Sequence, residues 1–177
     1  MDDATSFGPL RCKLPRKPWP DAAALRFHTC GVCGRLLYEF STPDADGTAT
    51  APPRCCGRAM NALTPVRPKG ERLRYDIVGG FNNNAVLAHW QGPPPRWIAL
   101  RTYTGFYLKQ VPETKASPLA FPLSDEDAYA YCDRKLCRKC LYRCKKGCVL
   151  YYCFGNDEVL ECPLDQTSPY FHRSGAS

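Results

Sequence analysis

The cysteines are the residues of this sequence with the clearest capacity for chemistry. The chain has twelve of them in 177 residues, and eleven fall into two groups. The first, called here the four-cysteine group, has Cys30 and Cys33, then 21 residues, then Cys55 and Cys56. A C-x-x-C turn presents two thiolates to one ion, and a second pair completes a tetrahedral S4 site. We predict that these four cysteines hold one zinc or iron ion, because S4 geometry suits either metal.

The second group has seven cysteines within 31 residues, from Cys132 to Cys162. Its centre has two, three and three residues between successive cysteines, and an x2 knuckle recurs in structural zinc sites. We predict a second zinc site there, formed by Cys137, Cys140, Cys144 and Cys148. An iron–sulfur cluster is a weaker alternative, because no ferredoxin-type spacing is matched. Disulfides in an oxidising compartment and free thiols remain alternatives.

A basic cluster overlaps the second cysteine group. Seven positive side chains with no acid between them equal the net charge of +7, which comes from 24 Lys+Arg against 17 Asp+Glu. They are Arg134, Lys135, Arg138, Lys139, Arg143, Lys145 and Lys146. Such a cluster predicts a patch that binds a nucleic-acid backbone or an acidic protein surface. The alternative is a solvated face that offsets the negative charge of a zinc–thiolate site.

The remaining composition favours strands. Seventeen prolines and thirteen glycines limit helix, while ten Tyr, eight Phe and three Trp suit a β-sheet. Short apolar runs separated by turn residues predict strands, and such close spacing indicates a sandwich or barrel. The runs are residues 72–78, 85–90, 96–103, 106–111, 119–123, 128–132, 149–154 and 158–162.

Nothing in the sequence points to a membrane or to secretion. The first residues contain no apolar run, and no stretch approaches the roughly 18 apolar residues of a membrane span. We therefore expect an intracellular, reducing compartment and no membrane partner. Thiols stay reduced there, which favours metal sites over disulfides.

The four-cysteine group resembles part of a known family. The order Cys-x-x-Cys-Gly, a loop, then Cys-Cys-Gly-x-x-Met, from Cys30 to Met60, is similar to the desulforedoxin-type domain that opens desulfoferrodoxins. Downstream motifs follow the order of that family's superoxide reductase domain. They are His89-Trp90, Trp97-Ile98-Ala99-Leu100, Gly105-Phe106-Tyr107-Leu108-Lys109 and Ala130-Tyr131-Cys132.

The resemblance implies a mainly β protein. A small desulforedoxin/rubredoxin-like metal knuckle would precede a seven-stranded immunoglobulin-like sandwich of superoxide reductase type. Four parts are then expected: a basic, proline-rich extended arm (1–27), a metal-binding unit with the four-cysteine group (28–63), the sandwich (72–135) and a cysteine-rich basic extension (136–177). The metal-binding unit has almost no core of its own, so it should be unfolded without its ion.

The resemblance also implies a ferrous centre with four His ligands and one Cys ligand, which reduces superoxide. His89 and Cys132 match two of those ligands. The family's other histidines would stand near Asn82-Asn83-Asn84, in the 65–72 linker and at Lys135, where this chain has none. The whole chain has three histidines, so four imidazoles cannot be assembled. We predict that the centre is lost, that no residue is catalytic, and that His89 is a packed strand residue.

These features favour a non-enzymatic, metal-binding component of a larger protein or ribonucleoprotein assembly. One alternative is an oxidoreductase, either a superoxide reductase or an electron carrier that uses iron at the four-cysteine group. Another is a zinc-dependent nucleic-acid-binding module that uses the basic cluster.

Overall fold

Strands form most of the regular structure in the part of the chain that can be described. The computed structural model describes residues 24–41, 51–70, 72–78, 85–102, 104–124, 127, 145, 147–155 and 158–164. The strands are β1 (Ala24–Thr29), β2 (Leu36–Ser41), β3 (Arg54–Cys55), β4 (Arg58–Ala59), β5 (Asn61–Leu63), β6 (Leu73–Val78), β7 (Ala85–Trp90), β8 (Trp97–Arg101), β9 (Phe106–Gln110), β10 (Leu119–Pro122), β11 (Val149–Cys153) and β12 (Leu160–Pro163). No helix among these residues is long and apolar enough to cross a membrane.

The N-terminal part is a small antiparallel sheet with a hairpin beside it. The sheet has the order β2-β1-β5, with Phe27 opposite Tyr38 on one side and Leu63 on the other. Strands β3 and β4 form the separate hairpin. The first cysteine pair lies in the turn after β1, and the second pair lies in this hairpin, which leads directly into β5. Because β5 pairs with β1, the two cysteine pairs lie close together.

Seven further strands form a sandwich of two antiparallel sheets. One has the order β10-β7-β6, and the other has the order β12-β11-β8-β9. Strand β7 shows the alternation expected of a half-buried strand, because Val86, Ala88 and Trp90 are buried and the residues between them are not. The fold predicted from the sequence, a mainly β protein with an immunoglobulin-like sandwich, is confirmed.

The main core lies between the two sheets. One sheet contributes side chains such as Ile77, Val86 and Phe121, and the other contributes Ile98 and Leu150. All five are at most 1% exposed. Burial of a side chain this size stabilises the fold by roughly 1.5–3 kcal/mol, before the entropy of ordering is subtracted.

A second core lies on the outer face of the four-stranded sheet. Phe27 of β1 packs there with Ala99 of β8 and Tyr151 of β11. The Phe27 ring stacks on Trp97, with centroids 5.9 Å apart, and lies 5.1 Å from the Tyr151 ring. The N-terminal sheet therefore covers this face, and β8 and β11 are buried on both sides.

The sandwich continues beyond residue 135, whereas the sequence analysis placed its end there. Strands β11 and β12 lie inside the predicted 136–177 extension, and β11 pairs with β8 over five residues. The linker before β6 joins the same sheet, since Val66 pairs with Leu160 in a parallel bridge. The predicted strand at 128–132 lies outside the described residues.

Candidate metal centre

The first cysteine pair stands on a tight turn that follows β1. The Cys30 amide donates to the carbonyl of Arg35 at 2.9 Å, and the Gly34 amide donates to the Cys30 carbonyl at 2.9 Å. Gly34 has a φ of 68°, a conformation that a residue with a Cβ adopts at a cost. This closure turns Cys33 back toward the thiol of Cys30.

The second pair stands on the β3–β4 hairpin. Its two central residues, Cys56 and Gly57, have φ values of 49° and 74°. Two consecutive positive φ angles are the signature of a type I′ turn, which suits the twist of a two-residue hairpin. Arg54 donates from Nη2 to the Gly57 carbonyl at 2.7 Å and holds the turn closed. The thiols of Cys55 and Cys56 can therefore both approach one metal position, although the two residues are adjacent in the chain.

The four cysteines converge. Their Sγ atoms all lie within 4.8 Å of one another, with Cys33 3.6 Å from Cys55 and Cys55 3.9 Å from Cys56. A tetrahedron with metal–sulfur bonds of about 2.3 Å has edges of about 3.8 Å. The group can therefore hold a metal ion. In the part of the chain that the structure describes, no other set of three or more His, Cys, Asp or Glu side chains converges in this way.

The electrostatics of the group favour one thiolate first. Backbone amides of Cys33 and then Val32 donate to Cys30 and lower the pKa of its thiol to about 6. Hydrogen bonding with Cys33 raises the pKa of Cys55, and contacts with Cys33 and Cys55 raise the pKa of Cys56 to about 12. Thiols packed this closely share protons. A divalent cation that binds them displaces these protons and stabilises the thiolates.

Solvent reaches only one side of the group. Cys30 is buried and Cys55 is half-buried, while Cys33 and Cys56 are exposed. Val32, between the first two cysteines, is 59% exposed. An ion held here would therefore be close to the surface on the side of Cys33 and Cys56.

The two histidines among the described residues do not form a common site. His28 is buried in β1 and donates from Nε2 to Glu39 at 3.2 Å. His89, the predicted remnant ligand, lies in β7 with its Nε2 3.0 Å from Oδ2 of Asp76 on β6. Cys132, the other predicted remnant, lies outside the described residues.

Only part of the second cysteine group can be located. Cys137, Cys140 and Cys144 lie outside the described residues. Cys148 belongs to the sandwich core and is 1% exposed. The second zinc site stays a prediction.

Lys145 does not belong to a solvent-facing basic patch, contrary to the sequence-based assignment. It is fully buried, and its Nζ donates to the Asp127 carbonyl at 3.1 Å. The Asp127 carboxylate in turn accepts from the amide and the hydroxyl of Thr104, at 3.2 and 2.6 Å. The charge pattern gave no sign of this contact, because the contact joins distant segments. The other six basic residues lie outside the described part of the chain.

Comparison with known proteins places the fold. No protein-family model matches the chain, and a search of curated proteins finds no match. Among solved structures, the superoxide reductase from Treponema pallidum is similar, with a TM-score of 0.52. The chain has a superoxide reductase-like fold. The match covers 79% of this chain and 98% of that protein at 17% identity, which supports a common fold and no further property.

Proposed function

We propose that this chain is a metal-binding, non-enzymatic protein with a desulfoferrodoxin-like fold, a structural or interaction component of a larger assembly. The convergence of Cys30, Cys33, Cys55 and Cys56 within 4.8 Å carries the proposal. These residues would hold one zinc or iron ion, which closes two otherwise weak turns into a rigid unit. The basic cluster, apart from the buried Lys145, would contact the partner.

The histidines support the proposed loss of a reductase centre. The resemblance calls for four imidazoles, and the chain has three histidines. His28 and His89 each lie beside a carboxylate, Glu39 and Asp76 respectively. In a strand pair, such a cross-strand contact is a structural use of histidine.

Metal content measured on the full chain tests the site. We expect the Cys30→Ser/Cys33→Ser variant to contain one ion fewer per chain than the wild type by elemental analysis. Cys162→Ser is the matched control, because Cys162 is a half-buried thiol of β12 outside the four-cysteine group. Equal metal content in the double variant and the wild type would overturn the assignment.

His89→Ala tests whether the reductase centre is absent. We expect this variant to retain the metal content of the wild type, and both proteins to lack superoxide reductase activity. Loss of an ion from His89→Ala would show that a second, histidine-dependent centre exists.

Electron transfer through iron at the four-cysteine group is a second candidate. The exposure of Cys33 and Cys56 favours it, because an electron carrier needs its metal near the surface. A red protein with thiolate-to-iron absorption bands and stoichiometric iron would support this function. Colourless protein with stoichiometric zinc would exclude it.

Nucleic-acid binding through the basic cluster is the third candidate. A contribution from several phosphate contacts predicts that log affinity falls steeply and linearly with log salt concentration. Affinity for a DNA or RNA duplex that does not change with salt would contradict it.

A further inference from the structure

Two edge strands lie side by side on one face of the molecule. Strand β2 is an edge of the N-terminal sheet, and β9 is an edge of the four-stranded sheet. Tyr38 and Phe40 of β2 lie against Phe106 of β9, with ring centroids 4.7 and 5.9 Å apart. Tyr38 is 43% exposed and Phe40 is 49% exposed. Adjacent aromatic side chains left this open commonly mark an interaction surface.

The aromatic surface continues into a cavity of about 330 Å³. Tyr38 belongs to both, and Trp97 and Leu108 line the cavity further along. Glu158 also lines the cavity. The β2–β9 groove is defined here as Tyr38, Phe40, Phe106, Trp97 and Leu108. A groove with aromatic walls suits a proline-rich segment in the polyproline II conformation.

We propose that residues 15–20 of this same chain occupy the β2–β9 groove. Their sequence, Pro-Arg-Lys-Pro-Trp-Pro, contains a P-x-x-P motif with two basic residues inside it. Proline rings pack on aromatic side chains, and the preformed conformation loses little entropy on docking. The proposal does not depend on which metal the four-cysteine group holds.

Chain connectivity brings this segment to the correct end of the groove. Ala24 pairs with Ser41, and Leu25 pairs with Phe40. Ala24, the first residue of β1, therefore stands at the Phe40 end of β2, four residues after Pro20. Five polyproline steps of about 3.1 Å span about 16 Å. Strand β2 has five steps of about 3.4 Å and spans about 17 Å, so the segment matches the length of the groove.

The direction of the segment follows from the end at which the chain enters the sheet. Pro18, Trp19 and Pro20 would lie over Phe40 and Phe106, near that end. Arg16 and Lys17 would then reach the cavity, whose lining includes the carboxylate of Glu158 and the guanidinium of Arg96. These two charges offset each other, so the aromatic contacts carry the proposal.

Fluorine NMR of the full chain labelled with 5-fluorotryptophan tests the proposal. Trp19→Phe identifies the Trp19 resonance among the three tryptophans. A synthetic, identically labelled peptide of residues 9–23 gives its position when undocked. We expect the Trp19 resonance of the full chain to be displaced from that of the peptide, independently of protein concentration.

Two variants locate the contact. Phe40→Ser should return the Trp19 resonance to the peptide position, and Tyr38→Ser should at least halve the displacement. Leu37→Ser is the matched control, because Leu37 is exposed on the other face of β2 and should leave the displacement unchanged. If Phe40→Ser does not fold, Tyr38→Ser still decides, because Tyr38 is 43% exposed.

Two results would overturn the proposal. A Trp19 resonance at the peptide position in the wild type would show that the arm does not dock. A displacement that grows with protein concentration would show that the arm of a second copy occupies the groove.

Discussion

At the metal site, the conformation of single residues brings the ligands together. Cys56 and Gly57 both have positive φ, and Gly34 has one at the end of the first turn. Glycine adopts this region freely, whereas Cys56 does so at a cost that the hairpin must offset. Cys-Cys-Gly and Cys-x-x-Cys-Gly are therefore local structures, and their geometry follows from a few neighbouring residues.

Metal affinity at this site should depend steeply on pH. The pKa of Cys55 is raised and that of Cys56 is about 12, so both thiols carry protons at pH 7 and must lose them to bind metal. We expect the apparent association constant to increase at least about a hundredfold per pH unit near neutrality, since at least two protons are released. Competition with a chelator of known affinity, between about pH 6.5 and 8, measures it.

The sign of this dependence follows from the protons released. Lowering the pH restores protons to the thiols and weakens binding. The Cys30 thiol, with a pKa of about 6, adds a further proton only below that pH, so the slope steepens there. An affinity that is constant across neutral pH would contradict the prediction.

Asp127 should stabilise the fold more than a surface acid does. It is 1% exposed, and its carboxylate accepts both hydrogen bonds from Thr104. Asp127→Ala removes both hydrogen bonds to Thr104, and we expect a loss of about 1–3 kcal/mol in the free energy of unfolding. Urea denaturation measures it, with exposed Glu113→Ala as the control. Similar values for both variants would show that the contact is not stabilising.

At the scale of the strands, the sequence pattern was informative where turn residues bound a short apolar run. Six-residue β7 was predicted at its observed bounds in this way, and its buried and half-buried positions alternate in the structure. Strands β1 and β2 were not predicted as strands, since proline-rich and glycine-rich surroundings obscure their apolar pattern. In β11 every residue is buried, and an unbroken apolar run of this kind indicates cover on both faces.

Phe27 should be the main residue that joins the N-terminal sheet to the sandwich. It is 1% exposed and contacts Trp97, Phe106 and Tyr151. We expect Phe27→Ala to lower the free energy of unfolding of the metal-loaded protein by about 3–5 kcal/mol. Denaturant unfolding measures the change.

Leu37→Ala is the control for Phe27. Leu37 lies on β2 of the same sheet but faces away from the sandwich and is 37% exposed. Its replacement should cost about 0.5 kcal/mol or less. Equal effects of the two variants would show that the observed interface contributes nothing particular to stability.

At the scale of the whole molecule, the metal site and the sandwich share a core. Cys30 follows Phe27 of β1 by three residues, so loss of order around the four-cysteine group should uncover the outer face of the four-stranded sheet. We expect chelation of the metal to shift Trp97 fluorescence to longer wavelength, and zinc to reverse the shift. The Trp19→Phe variant should keep this response, and Trp97→Phe introduced into it should lose the response, because the remaining Trp90 lies in the other core.

An unchanged Trp97 signal after complete metal removal would contradict this coupling. It would show that the N-terminal sheet stays docked without its ion. The expectation from the sequence, that the metal-binding unit unfolds alone, considered only residues 28–63. The structure adds an interface between this unit and the sandwich, so we expect metal loss to affect both.

The sequence alone was sufficient for the four-cysteine group and for most strands of the sandwich, because turn geometry and β periodicity depend on neighbouring residues. Only the tertiary structure showed that Cys148 lies in the core, that Lys145 is buried against Asp127 and that Phe27 joins two sheets. These are properties of contacts between distant segments. Burial of a thiol or an ammonium depends on what packs over it, and residue spacing along the chain does not contain that information.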